Sequence, residues 1–302
     1  MNTFLKKIPI IAITLRLIKK IVKKIVIYRT LNLGLYKYKD IRFWYFPRLY
    51  KNKQQYAEWL EPVLIEIFKY RAGAFIDVGA NMGQTLQKVL SIDNQRDYIG
   101  FEPNVLCCFY VQQFIKMNEL HRCRILPLGL SNKFGVAKLL MPLIDSAATL
   151  IKGFRPDSFY SDWQYVSIVT GDSLMPNLGL SSLSIIKIDV EGGELEVIEG
   201  LRTTIAKYKP FIIFEVLPHY LAITDKHLDA NTIEFRTGRI RQLENILKEE
   251  GYAIFQIYPG KILKKIDRIN PGTEPDLSKV DYLAIPCNEE NDFLSLSNFK
   301  KD

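Results

Sequence analysis

The hydrophobic positions of this chain change period along its length, and each change marks an element. Residues 75–78 read Phe-Ile-Asp-Val, a short apolar strand, and run into the turn Gly79-Ala80-Asn81-Met82-Gly83. Residues 84–90 then take helical spacing. Further apolar runs at 97–102, 123–131, 137–141, 166–170, 183–190, 211–216, 252–258 and 280–286 predict strands. Helical periods at 57–70, 105–117, 195–206 and 240–251 predict helices between them. The run at 211–216 is almost continuously apolar, as a strand buried on both faces should be. Strands alternating with helices predict an α/β fold with an open, mostly parallel sheet and helices on both faces. Residues 145–165 break the alternation, being polar and irregular, and read as a β insertion with a loop over the site. Asn104 and Asp172 stand where each would cap the helix that follows it.

The N-terminal stretch has a different pattern. Ile8, Ile11, Leu15, Ile18, Val22 and Ile25 recur at steps of three and four, while Arg16, Lys19, Lys20, Lys23 and Lys24 fall mostly on the opposite face. The longest uncharged run there is too short to span a bilayer. No small-residue cleavage site follows it, so a secretory signal peptide is not expected. Residues 1–30 therefore read as an amphipathic helix that either lies on an anionic membrane or docks an apolar stripe on protein. An aromatic-rich stretch follows, with Phe43, Trp44, Tyr45, Phe46, Tyr50, Tyr56 and Trp59. The expected organisation is a basic amphipathic arm over 1–39 and an aromatic-rich helical extension over 40–71. The main domain would occupy 72–290 and a C-terminal tail 291–302.

Charge sharpens this division. The 302 residues contain 41 Lys/Arg and 33 Asp/Glu, a formal net charge of +8. Ten of the basic residues lie in 1–39, where there is no acid. The remainder is slightly acidic, which argues against a basic nucleic-acid groove on the main domain. Cys107, Cys108, Cys123 and Cys287 have neither C-x-x-C nor metal-ligand spacing and read as reduced, buried thiols of a cytoplasmic protein. No His/Asp/Glu cluster has metal-ligand spacing either, and no metal is expected.

A strand that enters a helix through a glycine-bearing turn offers close backbone approach and unpaired N–H groups to a nucleotide-like ligand. A dinucleotide fingerprint counted from Gly79 would need glycines at Asn81 and Gln84, so the turn is D-x-G-x-N-x-G instead. Glu102 ends the next strand, 19 residues after Gly83, where a carboxylate can accept both hydroxyls of a ribose. Asp189, Glu191 and Glu215 end later strands, and His219 follows shortly after. Ligands of open α/β sheets sit at such strand ends.

The turn resembles the E/D-x-G-x-G-x-G loop of S-adenosylmethionine (SAM)-dependent methyltransferases, with Asn81 at the middle glycine. FIDVGANMG at 75–83, GFEPN at 100–104 and IKIDVEGGELEVIEGL at 186–201 together resemble the FkbM-type family. LGLSNKFG at 128–135 and GDSL at 171–174 are similar to its later segments, the second loosely; Gly193 stands where that family would have alanine. The resemblance implies a Rossmann-like class I methyltransferase fold with a seven-stranded sheet, and SAM as cofactor. Gly79, Ala80, Asn81 and Gly83 would then meet the methionine end, with Asp77 supporting the turn. Glu102 would hold the ribose, Pro103 and Asn104 would border the adenine, and Ser131 would close it off. The implied reaction is O-methylation of a hydroxyl on a sugar, glycoconjugate or related small molecule. Asp189 and Glu191 would shape the acceptor site, with His219 as a candidate base. Two rivals stand beside this reading: a nicotinamide-dependent oxidoreductase using the same turn, and a non-catalytic membrane-associated scaffold. The arm would place the protein peripherally at the inner face of the membrane.

Overall fold

The computed structural model describes residues 34–38, 41–45, 57–142, 147–219, 223–224, 227–228, 230–272 and 277–301. The chain divides into two units, residues 1–54 and 55–302. In the first, β1 (Gly34–Tyr38) and β2 (Ile41–Tyr45) pair antiparallel. The second of these strands lies where a helical extension was expected; its β-branched Ile41 and the aromatics Phe43, Trp44 and Tyr45 suit a strand. The amphipathic helix expected within residues 1–30 lies outside the described residues. No helix among the described residues is long and apolar enough to cross a membrane.

In the second unit, the strands are β3 (Ala74–Val78), β4 (Tyr98–Phe101), β5 (Cys123–Leu126), β6 (Gly129–Leu130), β7 (Gly135–Met141), β8 (Asp162–Val169), β9 (Leu183–Ile188) and β10 (Phe211–Glu215). β11 (Ile223–Thr224), β12 (His227–Leu228), β13 (Tyr252–Tyr258), β14 (Ile262–Ile266), β15 (Asp281–Pro286) and β16 (Lys300–Lys301) complete it. The helices are α1 (Leu60–Tyr70), α2 (Gln84–Ile92), α3 (Val105–Met117), α4 (Gly171–Leu178), α5 (Glu194–Gly200), α6 (Arg202–Tyr208), α7 (Ala230–Glu249) and α8 (Glu290–Leu296). The main sheet runs β16-β14-β13-β15-β10-β9-β3-β4-β5. β15 is antiparallel to both neighbours, and β3, β4, β5, β9 and β10 are mutually parallel.

Nine strands stand where seven were expected. β14 and β16 extend the edge beyond β13, and Lys264 and Lys265 inside β14 had hidden its apolar positions. The centre of the sheet is dry. Ile76, Ile99, Ile185, Ile186, Ile188 and Ile212 are fully buried between helices on the two faces, which is why these strands lack alternation. Burying one such side chain contributes roughly 1.5–3 kcal/mol. The insertion forms a separate sheet, β6-β8-β7, as expected of 145–165 and its flanks.

Several helices differ from the reading of the sequence, and α7 begins at Ala230, well before the expected start at 240. The single helix expected over 195–206 is α5 and α6, broken at Leu201. Asp172, expected to cap its own helix α4, caps α6 instead. It accepts the N–H groups of Thr203 and Thr204 (both 2.8 Å) and the Thr204 hydroxyl (2.6 Å). At the C-terminus, α8 lies in the stretch read as a tail. Its Phe293 is fully buried and packs on Tyr70 and Phe211, with ring centroids 5.3 and 4.8 Å away.

Candidate active site

The glycine turn is shaped by what it must touch. Gly79 has φ +86°, and a Cβ there would stand 1.9 Å from the Asp189 carbonyl oxygen, so the turn after β3 lies against the turn after β9. Gly83 (φ +81°) and Asn81 (φ +45°) also lie in the left-handed region, which glycine adopts freely and asparagine tolerates. The Gly79 and Ala80 N–H groups both donate to the Phe101 carbonyl, at 2.9 and 3.1 Å. These bonds fix the turn to β4 before any ligand is considered.

Glu102 completes that link. One carboxylate oxygen accepts the Asn81 N–H (2.7 Å) and the other the Asn104 N–H (2.7 Å). Burial pushes its pKa up to about 7, against the lowering effect of these two bonds. Each oxygen retains a second acceptor site, so the pair of ribose hydroxyls can still be received. Beside it opens a cleft lined by Gly79, Asn81, Glu102, Pro103 and Ser131, with Leu139, Leu150 and Ile151 as apolar wall. An acidic rim for a ribose beside an apolar slot for a purine fits SAM.

The remaining cofactor candidates serve the frame rather than the wall. Ala80 is buried under the turn, Gly83 packs on Val111, and the Asn104 side chain caps α3 by accepting the Leu106 N–H at 3.0 Å. Asp77 is fully buried below the cleft. It accepts the Tyr98 hydroxyl (2.5 Å) and faces Lys187 Nζ at 3.7 Å, while Lys187 donates to Asp189 at 3.0 Å. Burial raises the Asp77 pKa to about 6 despite Lys187 and Tyr98, and the two carboxylates hold the Lys187 ammonium above its usual range. Lys187 and Tyr98 escaped the reading of the sequence, although a lone lysine inside the apolar run Ile185-Ile186-Lys187-Ile188 signals a buried counter-ion.

On the far side of the turn after β9, the candidates Asp189 and Glu191 come together with Glu215, while His219 meets Thr237 and Arg236 instead. Glu191 has φ +56°, a strained conformation for a side-chain-bearing residue, and pairs with Arg155 from the insertion. Burial, with Asp189 and Glu194 nearby, holds its carboxyl above the usual carboxylate range. Glu194, the first residue of α5, accepts the Val190 and Gly192 N–H groups at 3.3 and 3.2 Å and so braces the turn that precedes the helix. His219 is largely buried and lies 3.4 Å from the Thr237 hydroxyl through Nε2; burial and Arg236 lower its pKa. Carboxylate oxygens of Asp189, Glu191 and Glu215 lie within 4.8 Å of one another, a spacing that could hold a metal ion. Linear spacing concealed this grouping because two separate segments contribute, the turn after β9 and the end of β10. Lys187 and Arg155 already neutralise two of the three. The expectation of four buried thiols holds for Cys107, Cys108 and Cys123; none of the four is in a disulfide, and Cys287 is exposed, just past the end of β15.

A domain model described as the methyltransferase FkbM domain matches residues 77–254, more than half of the chain. The chain belongs to the FkbM methyltransferase family. Membership makes SAM the cofactor and methyl transfer the class of reaction. No curated protein matches the sequence. Among solved structures, the FkbM methyltransferase of Methylobacillus flagellatus KT is similar at 15% identity and a TM-score of 0.43. The match covers 70% of this chain and 43% of that one, so the present chain spans less than half of that relative. A precorrin-6y C5,15-methyltransferase from Geobacter metallireducens GS-15 matches at 10% identity over 80% of this chain and 91% of its own, with a TM-score of 0.39. A SAM-dependent O-methyltransferase from Thermotoga maritima matches at 10% identity over 84% and 78% of the two chains, with a TM-score of 0.38. These likenesses are distant, and the family assignment rests on the domain match. The matched segment of this FkbM-type chain contains Asp77, Glu102, Asp189, Glu191 and His219.

Proposed function

We propose that this FkbM-type methyltransferase O-methylates a hydroxyl of a sugar or glycoconjugate, with Glu191 as the base. The observation that carries this reading is the position of Glu191. It lies in the turn whose neighbours Val190 and Gly193 line the cofactor cleft, while its carboxyl is held above the usual range. Gly79, Asn81, Glu102 and Ser131 would hold SAM, which supplies an electrophilic methyl carbon on a sulfonium. A neutral hydroxyl is a weak nucleophile, so as its oxygen bonds to carbon its proton must pass to a positioned acceptor. Glu191 takes that proton, and Arg155 stabilises the carboxylate before it does so. The rest of the catalysis is alignment, which a turn locked by Gly79 against Asp189 supplies.

The sugar acceptor is supported by family membership, and the hydroxyl by a carboxylate base at the rim. Segregation of ten basic residues into 1–39 supports attachment of that arm to an anionic membrane at its cytoplasmic face. The reaction is tested by incubating the full chain with methyl-labelled SAM and a panel of sugars. A base-stable methyl ether on the sugar is expected. A base-labile methyl ester, or transfer to an amine, would overturn the hydroxyl assignment.

A further inference from the structure

Arg96 and Arg236 are both buried arginines, 6% and 1% exposed, with opposite surroundings. Arg96 lies over the Phe68 ring at 3.7 Å and donates to Asp93 (3.1 Å), the Gly73 carbonyl (2.7 Å) and the Ser184 hydroxyl (2.9 Å). Arg236 lies over the Phe154 ring at 4.3 Å, and its Nη2 donates to the Leu217 and Pro218 carbonyls at 2.8 and 3.0 Å. Its Nε and Nη1 have no partner among the described residues. Glu194 attracts it but forms no ion pair with it, and spends one oxygen on the Val190 and Gly192 N–H groups. A buried cation without a counter-ion is costly, and burial together with Arg155 lowers the Arg236 pKa to about 10.

The vacancy is shared. Five of the nine buried side-chain polar atoms without a partner among the described residues belong to Arg155, Tyr160, His219 and Arg236. These four side chains come from the insertion, the segment after β10 and helix α7. They act on one another, since Arg236 feels the Arg155 charge, Tyr160 feels both arginines, and His219 feels Arg236. Four of the five atoms belong to N–H or O–H donors: both free Arg236 nitrogens, Arg155 Nε and the Tyr160 hydroxyl. Beside them opens a pocket lined by Phe154, Gly192, Glu194, Arg236 and Arg239. The cofactor cleft is lined by Val190 and Gly193, so the two openings flank one turn.

We propose that this pocket receives an anionic group carried by the acceptor, a carboxylate or a phosphate, so that the substrate is an acidic sugar rather than a neutral one. The inference rests on the sugar-methylation reading and narrows it. Arg155 is paired with Glu191 and Arg239 with Glu196, so Arg236 is the guanidinium lining this pocket that lacks the counter-charge an anion brings, and charge-assisted bonds to an anion are the stronger class. Exclusion of water strengthens them further. A neutral sugar would leave the Arg236 charge uncompensated.

The test is the thermal unfolding of the full chain with D-glucuronate, with glucose 6-phosphate and with glucose, at matched ionic strength. Wild type, Arg236→Met and Arg236→Lys are compared, and S-adenosylhomocysteine binding is measured on each preparation. Removing an uncompensated buried charge leaves Arg236→Met folded, with an unfolding temperature at or above that of wild type without ligand. At least one acidic sugar should raise the wild-type unfolding temperature while glucose does not. The shift should vanish in Arg236→Met and persist in part in Arg236→Lys. A response to glucuronate alone assigns a carboxylate, and one to glucose 6-phosphate alone a phosphate. An equal shift with glucose, or a shift that survives in Arg236→Met, overturns the proposal. S-adenosylhomocysteine binding with no response to either acid also overturns it and leaves the methyltransferase reading intact. Failure to bind S-adenosylhomocysteine, with an Arg236-dependent acid response, removes the methyltransferase reading and retains the anion pocket.

Discussion

The two sides of the turn after β9 are built on opposite terms. On the β3–β4 side, the chain satisfies most of its own polar groups: Glu102 accepts two backbone N–H groups, Phe101 accepts two more, and Asp77 accepts the Tyr98 hydroxyl with its other oxygen facing the Lys187 ammonium. On the β10 side, buried donors stand without acceptors and carboxylates crowd one another. A site that is self-satisfied needs a ligand only to fill shape and a few remaining lone pairs. A site with open donors needs its ligand to complete the electrostatics, which makes it the selective half.

Variants break this comparison to different degrees. The largest effect is expected from Glu191→Gln, which should lower kcat by about 10²–10⁴-fold while leaving S-adenosylhomocysteine affinity unchanged. Because the Glu191 carboxyl is held above the usual range and must be ionised to act, wild-type activity should rise as pH climbs through its raised pKa. Loss of that rising limb in the variant, measured as a pH–rate profile, identifies the base; an unaltered profile assigns the proton transfer elsewhere. Gly79→Ala comes next, since its new Cβ would meet the Asp189 carbonyl at a forbidden distance in a left-handed conformation. The loss should be at least about 2 kcal/mol by denaturant unfolding. A change under about 0.5 kcal/mol would show that the two turns are not locked together.

A smaller effect separates charge from hydrogen bonding at Glu194. Its pKa is pushed up to about 7 by burial, so the folded chain keeps this proton to higher pH than the unfolded one. The stability it contributes is complete below about pH 4.5 and is lost as pH rises through about 7. Glu194→Gln retains the accepting oxygen without the charge, and should be about 1–3 kcal/mol more stable than wild type at pH 8. Equal stability at pH 8 would mean that the folded protein already compensates this carboxylate. The smallest effect on the fold should come from deleting residues 1–39. This should abolish co-sedimentation with anionic vesicles at low salt and leave S-adenosylhomocysteine binding intact. Unchanged sedimentation would remove the membrane role of the arm.

The same division explains what could be read from the sequence. Gly79, Asn81, Glu102 and Ser131 act through turns and strand ends, where local spacing carries the information, and all four meet in one cleft. The alternation of strands and helices likewise predicted an open, mostly parallel sheet, and β3, β4, β5, β9 and β10 are mutually parallel. Arg155 and Arg236 could not be found so, because each is an ordinary residue in its own segment and gains meaning only when the insertion, the segment after β10 and α7 converge. Asp172 teaches a similar lesson. A carboxylate at the start of a helix reads as that helix's cap, yet here the exposed N–H groups of α6 offered it better partners. β14 was missed because Lys264 and Lys265 interrupt a pattern that edge strands are free to interrupt.

The central claim is that Glu102 and the glycine turn form a SAM site. Calorimetric titration of the full chain with SAM, S-adenosylhomocysteine and NADH, repeated on Glu102→Ala, tests it most directly. The account predicts binding of the two adenosyl-sulfur compounds alone, weakened at least about 30-fold in the variant by loss of roughly 2 kcal/mol or more of charge-assisted hydrogen bonding. Binding of NADH, or full retention of SAM affinity by Glu102→Ala, would contradict it.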